Sequence, residues 1–245
     1  MALLLQSLLR ACPDPRQPFL IGYGFSLSPA EIVDAGKSGL PGVEAGDVVA
    51  LIGGFDPPTV SAFLQLLDRK AIIVPLTPLT RASHAEFFRT ADVDCVVRDG
   101  RVERLQTQAR DKHPLIEGLR AQGEGGLILF SSGTTGRAKA VLHAAEPFLA
   151  RYRTPRKALR SLTLLLFDHI GGLNTLLHML FNHGRAAVPR SASPQDVLAA
   201  ARDFRSELLP ATPSLLRLLL LHGLLDRASL PDLKIVSYGT ERMDP

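Results

Sequence analysis

Leu127-Ile128-Leu129-Phe130-Ser131-Ser132-Gly133-Thr134-Thr135-Gly136-Arg137-Ala138-Lys139 is the stretch whose reading decides the fold. An apolar strand runs straight into a loop of small, hydroxyl-bearing and glycine residues, and the loop closes on a lysine. These residue types suit a phosphate chain: glycines let backbone N–H groups approach an anion, hydroxyls add donors without bulk, and lysine adds a point charge. The spacing is not that of a Walker loop, which needs four residues between its glycines and a Ser or Thr after the lysine. Here two residues separate Gly133 from Gly136, and Ala140 follows Lys139.

Outward from this loop the chain alternates strand and helix. Asp47–Ile52 is a continuous apolar run bounded by Gly46 and Gly53-Gly54, the pattern of a strand buried on both faces. Pro57 and Pro58 open a helix with Val60, Phe63, Leu64 and Leu67 on one stripe. Ala71–Leu76 is a second strand, and Arg81–Thr90 reads as a helix. Cys95–Val97 and Val102–Leu105 flank the hairpin turn Asp99-Gly100. Residues 106–124 are a linker or a short exposed helix, and strand 126–130 then delivers the loop.

Beyond the loop the pattern gives a helix near 145–153, a strand at Leu162–Phe167 and a helix at Leu173–Phe181. A strand at Arg185–Val188, a helix at Pro194–Phe204 and a strand near Glu207–Leu209 follow. The last elements are a helix at Pro213–Leu221 and a strand at Leu233–Ser237. Strands separated by helices imply an α/β fold of parallel-rich sheets flanked by helices.

The 245 residues, 46% hydrophobic and 21% charged, suffice for a sizeable core. The net charge of +4 comes from scattered arginines, with no basic arm or aromatic–basic strip for nucleic acid. Cys12 and Cys95 lack metal-ligand spacing, and a reducing, cytoplasmic setting is expected. Residues 1–10 read as an amphipathic helix rather than a signal peptide. The apolar run Leu215–Leu225, broken by Arg217 and His222, is too short to cross a bilayer.

The loop resembles the signature of the AMP-forming adenylating enzymes, which include acyl-CoA synthetases, adenylation domains of peptide synthetases and luciferases. Their Ser-Ser-Gly-Thr-Thr-Gly-x-Pro-Lys-Gly loop wraps the triphosphate of ATP. The match is full through Gly136 and departs at Ala138 and Ala140, both small-for-small. The resemblance implies that Ser131, Ser132, Gly133, Thr134, Thr135, Gly136 and Lys139 bind the nucleotide, with Lys139 also catalytic and Thr135 near Mg²⁺. Gly46–Leu51 and Ile73–Leu76 look like the family's early strand–helix–strand pattern, whereas the first 40 or so residues match loosely.

Phe167-Asp168-His169-Ile170-Gly171-Gly172-Leu173-Asn174 resembles the family segment in which a residue at a strand end lines the junction of acyl and nucleotide sites. His169 takes that position and is the second catalytic candidate. An alternative makes His169 a helix-terminal histidine with Asp168 as the N-cap. A hydrolase reading of Asp168 and His169 lacks a partner, because no Gly-x-Ser-x-Gly elbow occurs. The end, Leu233–Pro245, admits two registers. Read as Tyr-Gly-x-Thr-Glu, it offers Glu241 to Mg²⁺. Read as the preceding loop, it places Tyr238, Gly239 and Thr240 beside the adenine. The spacing from Pro210–Ser214 and the Met243-Asp244-Pro245 ending favour the adenine loop.

The resemblance thus implies an acid–thiol ligase. ATP and a carboxylic acid, fatty or aryl, would give acyl-AMP and pyrophosphate, and coenzyme A, or phosphopantetheine on an acyl carrier protein, would take the acyl group. It also implies an incomplete large N-terminal domain, with 45–160 as the loop-bearing subdomain and 1–44 plus 161–245 as a second. The mobile C-terminal domain would be absent, so little activity is expected of these residues alone. The alternative is a non-catalytic nucleotide-binding or interaction module of the same descent.

Overall fold

A computed structural model describes residues 7, 11–106, 112–131, 138–223, 225, 230–239 and 241. The short strands β1 (Leu20–Gly22) and β2 (Phe25–Leu27) pair antiparallel, and α1 (Pro29–Ser38) follows behind a capping box of Ser28 and Glu31. β3 (Val48–Ile52), α2 (Pro57–Asp68) and β4 (Ile72–Leu76) form a crossover unit whose strands lie parallel, Val48 opposite Ile72. A 3₁₀ turn (Pro78–Ser83) and α3 (His84–Thr90) lead to the hairpin of β5 (Cys95–Arg98) and β6 (Arg101–Arg104). Its turn residues, Asp99 at φ 49° and Gly100 at φ 72°, are both left-handed, as a two-residue turn matched to strand twist requires. Next come α4 (Pro114–Ala121), then β7 (Gly126–Ser131) and β8 (Lys139–Ala144), paired antiparallel across the loop.

After α5 (Ala145–Ala150), β9 (Arg160–Leu162) returns the chain to the sheet of β1, and α6 (Ile170–Phe181) and β10 (Arg185–Val188) continue it. α7 (Pro194–Asp203), β11 (Leu208–Ala211), α8 (Pro213–Leu221) and β12 (Ile235–Tyr238) complete the order. Among the described residues there are two six-stranded sheets, β12-β11-β9-β10-β1-β2 and β6-β5-β3-β4-β7-β8, parallel apart from the β1/β2, β5/β6 and β7/β8 pairs.

Five layers follow from where the apolar side chains go. Val48, Ala50, Ile72 and Val74 share a core with Phe87 of α3 and Ile116 and Leu119 of α4. Their neighbours Val49, Leu51 and Ile73 project the other way, as the period of two demands, into a core with Phe63 and Leu64 of α2 and Leu173 and Leu176 of α6. Leu20 and Ala186 of the other sheet join the same core, so α2 and α6 lie between the sheets. The remaining face of that sheet packs Leu162, Ala187 and Leu209 on Val197 of α7 and Leu216 of α8. Asp56 fixes the entry to α2 by accepting from the Thr59 N–H at 2.9 Å, with Pro57 and Pro58 in its first turn.

Several sequence expectations need correction. The helix expected at Arg81–Thr90 begins instead as the 3₁₀ turn at Pro78, whose fixed φ suits a first-turn position. Of the two readings of 106–124, the short helix is the one found, as α4, with Ile116 and Leu119 its buried residues. The strand expected at Leu162–Phe167 is shorter and earlier, at Arg160–Leu162. Thr163 still donates to the Ala187 carbonyl oxygen of β10 at 2.9 Å, and residues 164–167 then fold over the start of α6, where a Cβ on Gly172 would stand 2.0 Å from the Leu166 carbonyl oxygen. β8 was not anticipated; it is a half-exposed edge strand without clear alternation. The amphipathic helix expected at residues 1–10 lies, apart from Ser7, outside the described residues.

Both cysteines are free, and burial pushes the Cys95 thiol up to about 11. Among the described residues no helix is long and apolar enough to cross a membrane.

Phe63 and Phe167 are almost wholly buried and meet edge to face, ring centroids 5.7 Å apart, joining α2 to the segment before α6. Phe63→Ala is expected to cost about 3–5 kcal/mol in urea unfolding, with the midpoint lowered and the slope little changed.

Candidate active site

The parallel strands of both sheets deliver their carboxyl ends to one side of the molecule, the place where open α/β sheets bind ligands. A cleft of about 670 Å³ opens there, walled by Gly53–Asp56, Thr77–Leu79 and Arg98 from one sheet and by Thr163–Phe167 and Val188–Pro189 from the other. The β4/β7 ladder pairs Ile72 with Gly126 and Ile73 with Leu127 and stops there, two residues before Pro75, which has no N–H to donate.

Thr77 ties the two sheets together. Its hydroxyl donates to Oδ2 of Asp168 at 2.9 Å, across 91 positions of sequence. His84 backs it from α3, with Nε2 3.1 Å from the Thr77 carbonyl oxygen and 3.2 Å from the Thr80 hydroxyl. The Asp168 side chain is only 7% exposed, and its Oδ1 has no hydrogen-bond partner among the described residues. His169 Nε2 stands 3.8 Å from that oxygen, too far for a hydrogen bond, and the His169 side chain is half exposed. Asp168 is therefore not the N-cap of α6; His169 holds that position, in extended conformation, without a side-chain cap bond. The first N–H groups of α6 thus lack a side-chain cap beside Asp168 and His169.

The phosphate-type loop is anchored at both ends. Ser131 ends β7, Lys139 begins β8, and the two are opposite partners in the ladder. Ser132, Gly133, Thr134, Thr135 and Gly136 lie outside the described residues, as does Thr240. Tyr238, 60% exposed, ends β12 opposite Ala211, with Gly239 immediately after it. Glu241 accepts from the Ser214 hydroxyl at 2.6 Å and its N–H at 3.0 Å, at the start of α8. Those bonds hold its carboxyl below the usual range. Among the described residues no group of three or more His, Cys, Asp or Glu is placed to hold a metal ion.

His169 and Lys139 thus sit at the carboxyl ends of different sheets, and Thr77 links the end of β4, the central neighbour of β7, to the His169 segment. Thr77 and His84 escaped the sequence reading. A Val-Pro-Leu-Thr-Pro strand end was visible, but nothing in it signals a partner 91 positions away.

The sequence profile of the AMP-binding enzymes matches residues 39–245, most of the chain. The chain belongs to the AMP-binding enzyme family. Among relatives of the AMP-binding enzymes, AmbE, the AMB antimetabolite synthetase of Pseudomonas aeruginosa PAO1, is 29% identical over 266 residues, covering 96% of this chain and 12% of AmbE. The N-terminal subdomain of Klebsiella oxytoca NpsA in complex with 3-hydroxybenzoyl-AMSN superposes with a TM-score of 0.75 at 18% identity, covering 98% of this chain and 66% of that one. The inhibitor-bound N-terminal domain of FACL13 from Mycobacterium tuberculosis gives 0.75 and 18%, covering 100% and 71%. At these identities the structures establish the fold: mixed α/β, two mainly parallel sheets flanked by helices, as in N-terminal subdomains of adenylating enzymes. The chain spans about an eighth of AmbE and about two thirds of the two solved domains.

Thr77→Val removes the bond to Oδ2 and leaves a buried carboxylate without it. The expected loss is about 1–3 kcal/mol in chemical denaturation, with Thr77→Ser recovering most of it. A loss in Thr77→Ser with none in Thr77→Val would show that the methyl group, not the hydroxyl, matters.

Proposed function

We propose that the protein containing this chain activates a carboxylic acid as its acyl-adenylate and passes the acyl group to a thiol. Membership of the AMP-binding enzymes gives the adenylate-forming step its support. The site assignment rests on the Ser131–Lys139 pair that anchors the loop and on the Thr77–Asp168 bond that joins β4, the neighbour of β7, to the His169 segment. In this reading a carboxylate oxygen attacks the α-phosphorus of ATP, the P–O bond to pyrophosphate breaks, and pyrophosphate leaves with its charge. Ser131, Lys139 and the loop between them bind the outer phosphates, so they stabilise the group that departs. His169 orients the acid's carboxylate, and Tyr238, Gly239 and Thr240 flank the adenine. The thiolate of coenzyme A or of a carrier-bound phosphopantetheine then attacks the acyl carbon and displaces AMP.

Mg²⁺, when bound, shares the phosphate charge. Thr135 is the residue that would meet it; Glu241 would do so only in the other register, and it is bonded twice to Ser214. We assign 45–160 as the loop-bearing subdomain and the flanking segments as the other.

A non-catalytic nucleotide-binding module is the competing reading, and it shares the loop.

ATP at ten times its Kd stabilises a binding protein by about 1.4 kcal/mol, or about 3–5 °C for a chain of this size. Differential scanning fluorimetry is expected to show that shift and Lys139→Ala to abolish it. No shift at millimolar ATP would count against both readings. A shift without acid-dependent pyrophosphate exchange in the whole protein would leave the binding module standing.

A further inference from the structure

We propose that Glu207 and Glu241 are positioning residues that fix the register of β12 from its two ends and so set where Tyr238 and Gly239 stand. The inference rests on the proposed function, which puts those two residues beside the adenine, and deepens it by naming what holds them there.

β12 is poorly fixed by packing. Each of its four residues, Ile235 to Tyr238, is exposed, so among the described residues neither face of the strand is buried. It lies at the edge of its sheet, with β11 as its one neighbour. Register is strongly specified where one face of a strand is buried and weakly where neither is. A slip of one residue along β11 would carry Tyr238 about 3.3 Å from its place, enough to break any hydrogen bond made there. β3 and β4 are protected from such slips because every residue in them is buried.

At the amino end the pin is Glu207, immediately before β11. Its side chain is buried, and its carboxylate pairs with the ammonium of Lys234, immediately before β12. Its carbonyl oxygen also accepts from the N–H groups of Lys234 at 2.9 Å and Ile235 at 3.0 Å. Arg160 of β9 backs the carboxylate, with its N–H nitrogen 3.2 Å and its guanidinium 3.4 Å from Oε2. The Lys234 bond holds the Glu207 carboxyl below the usual carboxylate range, against the opposing effect of burial. At the carboxyl end the pin is Glu241, two residues beyond Gly239. Its Oε2 takes both the hydroxyl and the N–H of Ser214, in the first turn of α8.

The two pins share the register of the ladder between them. Glu207 and Lys234 are 27 positions apart, as are Ser214 and Glu241. Leu208 lies opposite Ile235 and Ala211 opposite Tyr238, the same offset. Ser214 follows β11 through the start of α8, so both pins refer β12 to one strand. A slip in either direction would break both at once.

Calorimetric titration of the whole protein without Mg²⁺ tests the proposal. AMP, which carries the adenine, is compared with tripolyphosphate, which carries phosphates alone, for Lys234→Gln, Glu241→Ala and the double variant. Lys234 is half exposed, and its loss leaves Glu207 paired with Arg160, so the first variant spares the fold. Each variant is expected to bind AMP about fivefold or more weakly, because the competent register is less populated, and to bind tripolyphosphate as before. Glu241→Gln, which keeps an acceptor for Ser214, is expected to recover most of the AMP affinity. Unchanged AMP affinity in the double variant, the outcome if Glu241 serves only a metal, overturns the proposal. Equal weakening of both ligands overturns it too, because that is general destabilisation. No AMP binding by the unaltered protein sinks the nucleotide-binding reading, and this inference falls with it.

Discussion

The hydrogen bond from the Thr77 hydroxyl to Asp168 is the constraint on which the arrangement of the site depends. Two parallel sheets packed on a shared helical layer could meet the cleft in many relative positions, since apolar packing is non-directional. A buried carboxylate is less forgiving. Removed from water, it must find donors or cost several kcal/mol, and Thr77 supplies one at a single place and angle. That bond sets the segment carrying His169 against the end of β4, and so against the strand that launches the loop toward Lys139.

The layers behind the site serve the same end. Strands β3 and β4 are apolar on both faces, so helices must cover both, and α2 and α6 do so for the inner one. Gly172 lets α6 approach the carbonyl oxygens of Leu165 and Leu166, which a side chain there would prevent. The approach brings Asp168 inward and leaves His169 at the helix terminus, half in water. One oxygen of Asp168 accepts from Thr77, and the other, also buried, has no hydrogen-bond partner among the described residues.

Much of the fold was legible from local signals with a fixed physical meaning. The Asp56-Pro57-Pro58 start of α2, the Asp99-Gly100 turn and the unbroken apolar runs of β3 and β4 each have one economical solution. The bounds of β10 and α8 followed from periodicity in the same way. What failed was decided at a distance. Residues 164–167 are as apolar as a strand, yet they leave the sheet where α6 returns over them. β8 has the composition of neither a strand nor a helix and forms because β7 offers it an open edge. Asp168 looked like a cap because caps are read from neighbours in sequence, whereas its partner, Thr77, lies on another sheet. The loop motif was readable, but its anchoring by the Ser131–Lys139 pair was not.

The central claim is that the ends of both sheets form one site facing a single acyl-adenylate. Hydrogen exchange with and without an acyl-adenylate analogue, such as 3-hydroxybenzoyl-AMSN, tests it most directly. Slowed exchange is expected in two separate segments at once, the β7–loop–β8 hairpin of 126–144 and the 166–173 segment at the start of α6. Protection confined to one of them, or found in neither while the analogue binds elsewhere, would contradict it.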